Sequence, residues 1–208
     1  MEHKYKIFVL VNTFLKIDSI ERERLLKSIH IEEHFEKLYR QREEMLQELA
    51  YFAGVEWNRP QKDKWSWGET YYHLYLMVKW FRRLSMFYLP ISKPVAMLKK
   101  DKPYSTGSTN VYEAYQDKNK KAMKAPFIIV PPDRKKISIE FDDLVAELDK
   151  ETKLLEAIVE DVNDDTAGHI RFVDPLANHP NLIQSIDLLG IHEQHHFLLC
   201  KKYYQLGE

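Results

Sequence analysis

The sequence is poor in the residues that mark secreted, disulfide-linked and strongly charged proteins. It has one cysteine, Cys200, which rules out an intrachain disulfide and suits a reducing compartment. Acidic and basic residues nearly cancel, at a net charge of −1, whereas a dedicated nucleic-acid-binding domain is usually strongly basic. Glycine is scarce, at six residues in 208, and 44% of the chain is apolar, enough to bury a core. We therefore expect a cytoplasmic protein that does not bind nucleic acid.

The sequence also offers no convincing membrane or signal segment. An apolar stretch at residues 7–15 is shorter than the roughly 20 residues that a transmembrane helix needs. It contains Asn12 and Thr13, and no small-residue cleavage site follows it. We expect no association with membranes, and we assign residues 1–18 to an N-terminal extension that packs on the domain or on a second copy.

Four segments carry apolar residues at the helical period, at about residues 19–53, 66–89, 138–162 and 181–205. Ser66 and Glu69 have the spacing of a capping box at the start of the second segment, and Pro90 is expected to end it. Four amphipathic segments without runs of alternating strands predict an all-α fold. We expect a four-helix bundle in residues 19–208.

A long connection, residues 90–137, separates the second and third predicted helices. Between residues 99 and 136 it holds ten Lys and Arg against four Asp and Glu. Two interpretations stay open, a solvated loop and a rim that attracts an anionic substrate. The apolar residues 127–130 within it predict either a short strand or a plug.

Helical geometry separates three of the nine histidines from the rest. At about 100° per residue, His192 and His196 lie within about 40° of each other in the apolar stripe of the fourth helix. His73 lies in a stripe of the second helix with Trp80 and Leu84. We predict that both stripes face the bundle interior, which would bring three imidazoles together.

Three buried imidazoles without partners would cost several kcal/mol, because each carries a polar nitrogen at both ends. A shared cation removes that cost, and helix bundles often hold metals between facing helices. The pattern therefore predicts one divalent metal ion, with zinc or nickel preferred and manganese or iron as alternatives. The competing interpretation is a set of hydrogen-bonded core histidines.

The stretch from His192 to His196 also fits the H-E-x-x-H pattern of zinc proteases. Such enzymes take their third ligand downstream, and no histidine follows His196 in this chain. A second pair, His30 and His34, falls on the flank of its helix rather than on the apolar stripe. The third ligand is therefore expected upstream, at His73, and the protease interpretation is rejected.

Two motifs resemble the DinB/YfiT-like family of four-helix metalloproteins. The first is the tryptophan-led helix start KWSWGETYYHL, residues 64–74, and the second is the C-terminal His-x-x-x-His, reached through His179-Pro180. The resemblance begins at about residue 28. It implies a bundle with a long central connection and His73, His192 and His196 as metal ligands. A glycine that the family often carries after the His-Pro step is absent, so the resemblance does not predict the substrate.

A three-histidine site leaves the metal an open position, which is typical of catalytic sites. The metal could activate water, giving a hydrolase, which is our leading hypothesis. It could instead activate a low-molecular-weight thiol, giving an S-transferase, and the family resembled includes bacillithiol- and mycothiol-dependent enzymes. A non-catalytic metal-binding or dimerising bundle is the third hypothesis. We expect a small-molecule substrate and a homodimer.

Three further side chains are candidates for supporting roles. Glu69 is one turn before His73 and is either a base beside the metal or only a helix cap. Glu193 is a candidate for orienting a histidine or a water. His195 is a candidate for contacting one of the metal-binding histidines without binding the metal itself. Cys200 is expected to be a buried, inert thiol, and Trp65 a core residue.

Overall fold

The computed structural model describes residues 26–49, 52–110, 112, 126–173 and 178–204. Within them lie five α-helices: α1 (Ile29–Leu49), α2 (Trp67–Met97), α3 (Phe141–Val159), the short α4 (Asp164–Ala167) and α5 (Leu182–Tyr203). Two 3-10 turns, Phe127–Ile129 and Arg134–Lys136, precede α3. The described residues form no β-strand, and the predicted all-α bundle is confirmed. The predicted N-terminal extension, residues 1–18, lies outside the described residues.

Polar side chains cap three of the four long helices, and at α2 and α5 they do so where the sequence predicts the start. The helix α1 begins at Ile29, later than the predicted start at about residue 19. The Ser66 hydroxyl accepts a hydrogen bond from the Glu69 amide, and the Glu69 carboxylate accepts one from the Ser66 amide, which confirms the capping box. Asn181 and Gln184 form the same arrangement at α5. At α1 the Ser28 hydroxyl accepts from the Ile31 amide. Each cap satisfies backbone amides that have no partner within the helix.

Two apolar clusters, one toward each end of the bundle, show how the helices run. One contains the first half of α1, the second halves of α2 and α3, and the first half of α5. The other contains the second half of α1, the first halves of α2 and α3, and the second half of α5. Helices that share the same halves in both clusters run in the same direction. Hence α1 is parallel to α5 and α2 to α3, and the long connection makes the α2–α3 crossover possible.

A buried polar layer lies between the two clusters. Arg42 of α1 donates to the Glu193 carboxylate of α5, with Nε to Oε2 at 2.8 Å. Its Nη1 donates to Thr152 at 2.8 Å and to Asp149 at 3.2 Å, both on α3. Arg42 and Glu193 are almost fully buried. Because a buried charge is costly unless it is paired, this layer requires α1, α3 and α5 to meet in one arrangement.

The prediction that Pro90 ends the second helix is wrong. The helix α2 continues through Pro90 and Pro94 to Met97, so the connection begins eight residues later than expected. A proline inside a helix leaves the carbonyl four residues earlier without its backbone donor, here those of Met86 and Pro90. Both residues are solvent-exposed, so water can take the place of the missing donors. The cost that normally stops a helix is thereby reduced.

The predicted inward stripe of α2 is also wrong from Trp80 onward. Trp80 and Leu84 are exposed, and the buried face is the opposite one. That face contains Tyr71, Leu74, Val78, Ser85, Leu89 and Ala96. The helix is apolar on both sides, and periodicity gives the angular position of a side chain but not which side a neighbouring helix covers. The α3 helix packs along α2, and the small Ser85 and Ala96 leave room for close approach.

No helix in the described part of the chain is both long and apolar enough to cross a bilayer.

Candidate metal centre

Three histidines from two helices meet where α2 approaches α5. His73 is in the second turn of α2, and His192 and His196 are one turn apart on α5. One potential ligand nitrogen from each lies within 4.8 Å of the other two. In the part of the chain that the structure describes, this is the one group of three or more His, Cys, Asp or Glu side chains with such spacing. The convergence predicted from the sequence therefore occurs.

The nitrogen atoms that face one another are suited to a shared cation. Nε2 of His73 lies 2.8 Å from Nε2 of His192, and the ring centroids of all three histidines are 4.6–5.0 Å apart. His73 Nδ1 lies 2.6 Å from the Ile129 carbonyl oxygen, which only accepts, so Nδ1 carries the proton and Nε2 presents a lone pair. A divalent cation is a suitable acceptor for that lone pair in a buried site.

The outer nitrogens are held in place by the connection. The 3-10 turn Phe127–Ile129 supplies the carbonyl that orients His73, and the Tyr112 hydroxyl is hydrogen-bonded to Nδ1 of His192. Metal-binding histidines commonly have such a partner on the second nitrogen, which sets the tautomer and the ring orientation. Of the apolar residues 127–130 only Ile129 is buried, and Phe127 is 92% exposed, so the predicted plug is limited to Ile129. The alternative prediction of a strand is wrong, because the segment forms a 3-10 turn.

Burial keeps the three rings in the form that binds metal. His73 is fully buried, His192 nearly so, and His196 is half-buried. Burial lowers the pKa of His73, and burial with the neighbouring histidines lowers the pKa of His192 well below its usual range. Burial, His73 and His195 lower the pKa of His196 to about 2. All three imidazoles are therefore neutral at pH 7, the protonation state that a metal ligand needs.

Comparison with known proteins agrees with this geometry. The profile of the DinB superfamily matches residues 37–200, about four-fifths of the chain and all three histidines. The chain belongs to the DinB superfamily. No curated protein and no solved structure gives a significant match. The family resemblance inferred from the two histidine motifs is confirmed, and the three-histidine cluster fits a metal-binding protein of the DinB type.

The DinB-type site is buried, but it lies to one side of the most buried face of α5 rather than on it. The most buried face of α5 contains Ile186, Glu193, Phe197 and Cys200. Glu193 is about 100° around the helix from His192, so the histidines point to one side of the core. There they meet His73 under the connection. The sequence predicts that the stripe with the histidines faces the core, whereas the adjacent stripe with Glu193 is the most buried one.

The two candidate carboxylates both bind arginines. Glu69 is buried, and Arg59 donates to both of its oxygens while the Ser66 amide donates to one. Glu193 is held by Arg42 in the polar layer. A helix cap and an ion pair explain why Glu69 is buried, and an ion pair explains why Glu193 is buried. Neither belongs to the group of side chains that could share the metal.

His195 and Cys200 are the remaining candidates on α5. His195 is half-buried, edge-on to His196 with centroids 5.5 Å apart, and stacked on Tyr112 at 4.3 Å. It therefore packs beside a candidate ligand. Cys200 is buried against the Thr70 hydroxyl, and burial raises the pKa of its thiol to about 12, as expected for an inert cysteine. His30 and His34 lie near Glu33 and Asp187 and outside the site.

Sequence reasoning missed three contributors to the site. Trp65, expected in the core, lies 4.9 Å from His73 and stacks on His196 at 5.9 Å between ring centroids. Its position in the tryptophan-led motif was the available signal. The Tyr112 hydroxyl and the Ile129 carbonyl come from the connection, where no periodic pattern indicates which residue folds back. Trp65 and Tyr112 add an aromatic wall beside the three imidazoles.

Proposed function

We propose that this chain is a divalent-metal-dependent hydrolase that acts on a small molecule at the site formed by His73, His192 and His196. The observation that carries the proposal is the ligand set. Three neutral imidazoles converge, and no fourth protein ligand accompanies them among the described residues. Catalytic metal sites typically combine three protein ligands with an open position, whereas structural zinc sites are closed by four.

A divalent ion in this position would act as a Lewis acid and lower the pKa of a water that binds to it. The protein supplies orientation. The Ile129 carbonyl and the Tyr112 hydroxyl hold His73 and His192, and the Trp65 ring restricts movement of His196. Fixed ligands keep the open position in one direction, which positions a substrate against it.

The approach to the site favours a small substrate. His73 and His192 are covered, and His196 is the half-buried member of the set. Trp65 provides aromatic surface next to His196, and Tyr112 provides it next to His192, so a substrate would stack on one side and meet the metal on the other. The substrate's identity is a question for activity screening, and the cytoplasmic location stays a prediction.

The first experiment is elemental analysis of the purified protein and its variants. We expect about one divalent metal per chain in the wild type, and loss of that metal in His73→Ala and in His192→Ala. The matched control is the double variant His30→Ala/His34→Ala, which removes another i, i+4 pair and should retain the metal. Tyr112→Phe should bind metal roughly 10–100-fold more weakly, because it removes an outer hydrogen bond from a ligand.

The second experiment separates the functions. Metal-loaded protein is tested against ester, amide and phosphoester panels, with and without a low-molecular-weight thiol. Turnover that is lost in His73→Ala and needs no thiol supports the hydrolase. Turnover that occurs only when the thiol is present would instead indicate an S-transferase. No turnover, with a large fall in the melting temperature on chelation, would indicate a metal that only stabilises the bundle. If the purified protein contains no metal and takes up none when metal is added, the proposal of a metal-dependent hydrolase is wrong.

A further inference from the structure

The outward side of α2 is apolar over most of its length. Of the eleven exposed residues between positions 80 and 98, ten are apolar and one, Arg83, is charged. We call the ten the outer α2 face: Trp80, Leu84, Met86, Phe87, Pro90, Ile91, Pro94, Val95, Met97 and Leu98. Arg83 lies over the Trp80 ring at 5.2 Å. Such a continuous apolar surface is uncommon on a monomer and marks an interaction site.

The spacing along this face matches what a helix partner requires. Trp80, Leu84, Phe87, Ile91, Pro94 and Leu98 follow one another at alternating steps of four and three residues, the repeat of a coiled-coil seam. On a helix they lie within about 40° of Trp80 and extend over about 27 Å. The seam is one helix wide, so another helix would fit along it.

The exposed area is large enough for a stable dimer. Phe87, Ile91 and Leu98 are 69%, 73% and 86% exposed. If a large apolar side chain presents roughly 200 Å², the six large apolar side chains on or beside the seam (Trp80, Leu84, Phe87, Ile91, Val95 and Leu98) expose about 750 Å² per chain. A standard protein interface buries about 800 Å² on each partner. The face therefore has the size of a complete interface.

We propose that a second copy of this chain docks on the outer α2 face, with the two α2 helices antiparallel about a two-fold axis near Leu89. Trp80 and Leu98 are equally distant from Leu89, so each would meet the other across the axis, and Phe87 would meet Ile91 of the second copy. A two-fold interface uses the same surface on both chains, so that surface must be self-complementary. The pairs named above show that this seam meets the requirement, because each apolar residue faces another apolar residue.

The position of Arg83 and the helix dipoles favour the antiparallel arrangement. Parallel helices would place Arg83 against its own copy, whereas antiparallel helices place it against the apolar Val95. Both arrangements bring lysines together only at the ends of the seam, Lys99 with Lys99 when parallel and Lys79 with Lys99 when antiparallel. The helix dipoles also oppose each other favourably when the helices are antiparallel. The net charge of −1 produces little repulsion between whole chains and offers little attraction to an anionic membrane.

The test is the mass of the full-length chain in solution as a function of concentration. We expect the wild type at twice the 24.9 kDa of one chain at micromolar concentration. Phe87→Glu and Ile91→Glu should each raise the dimer dissociation constant by roughly 100-fold or more, because the interface would bury an unpaired charge. Both side chains are exposed in the single chain, so folding should not change. Val55→Glu, at an exposed apolar position outside the outer α2 face, is the control and should remain dimeric.

Three results would overturn the proposal. One is a wild type that stays monomeric and floats with anionic phosphatidylserine vesicles, which would make the face a membrane surface. Another is a wild type that becomes dimeric only after deletion of residues 1–25, which would make the chain's own N-terminus the occupant. The third is a dimer that Phe87→Glu and Ile91→Glu leave intact, which would place the interface elsewhere.

Cross-linking tests the direction of the helices. A mixture of Trp80→Cys and Leu98→Cys chains should form the mixed disulfide, while each variant alone should form little. The buried Cys200 is present in both and does not compete. Efficient cross-linking of Trp80→Cys with itself would indicate parallel helices and would overturn the antiparallel form.

Discussion

Removing the Arg42 side chain should destabilise the fold more than removal of any surface cation. In Arg42→Ala the Glu193 carboxylate would remain in the core without its partner, and Asp149 and Thr152 would lose a donor. Burial lowers the pKa of the Arg42 guanidinium, but the Glu193 carboxylate outweighs burial and raises it, so the guanidinium is charged in the folded chain. The Arg42→Ala substitution therefore removes the positive charge from a buried ion pair.

The magnitude follows from the burial of the pair. Removing one member of a buried ion pair typically costs about 3–5 kcal/mol, because the other charge is left without compensation. That is a large part of the roughly 5–15 kcal/mol by which a domain is stable. For a chain of this size the melting temperature should fall by roughly 6–20 °C. Urea unfolding followed by circular dichroism measures the free energy directly.

The control is the double variant Arg42→Met/Glu193→Met, which removes both charges and keeps the volume. It should regain most of the lost free energy of unfolding, because an apolar pair of similar size can replace a buried ion pair. Lys27→Ala, which removes an exposed pair with Asp161, should change the stability by less than about 1 kcal/mol. If Arg42→Ala behaved like Lys27→Ala, the polar layer would not be a stabilising feature of the fold.

Two further predictions concern glycine and cysteine. Gly68→Ala should destabilise the chain by about 1–3 kcal/mol, because a Cβ there would collide with the Trp57 ring, whereas Gly190→Ala in α5 meets nothing and should stabilise it by about 0.5–1 kcal/mol. Urea unfolding of both variants checks this pair, and equal effects would contradict it. Cys200 should resist iodoacetamide at pH 8 in the folded chain, because its thiol is buried and stays protonated below a pKa of about 12, and it should react once urea unfolds the chain. Mass spectrometry of the alkylated protein measures this, and rapid labelling of folded protein would refute it.

The second helix shows which part of the fold sequence patterns can predict. The capping box at Ser66 and Glu69 is a local interaction, and it placed the start of α2 correctly. Its end depended on whether the carbonyls freed by Pro90 and Pro94 face water or the core, which is a property of the folded molecule. The side of α2 that packs inward likewise depends on neighbouring helices, because both sides carry large apolar residues.

The metal centre likewise has a part that the sequence predicts and a part that it does not. The spacing of His192 and His196 within α5, the position of His73 on its helix and the lack of a histidine after His196 indicate this ligand set, since residues one turn apart on a helix must lie side by side. The groups that orient those rings, Tyr112 and the Ile129 carbonyl, come from the connection. Their positions depend on how an irregular segment folds over the helices, and neither periodicity nor propensity describes that.

The polar layer and the metal centre are linked through α5. Glu193 points to Arg42 and its neighbour His192 points to His73, so one helix carries contacts to α1 and to α2 about 100° apart. The Arg42–Glu193 ion pair is directional, and it therefore sets the rotation of α5 about its axis as well as contributing free energy. Methionine side chains can fill the same volume in several orientations. We therefore expect Arg42→Met/Glu193→Met to regain its stability yet to bind Zn²⁺ or Ni²⁺ more weakly than the wild type. Neither substituted residue is one of the three candidate metal ligands, so the effect would come from the rotation of α5. Equal affinity in a competition titration would show that apolar packing alone sets the direction of His192.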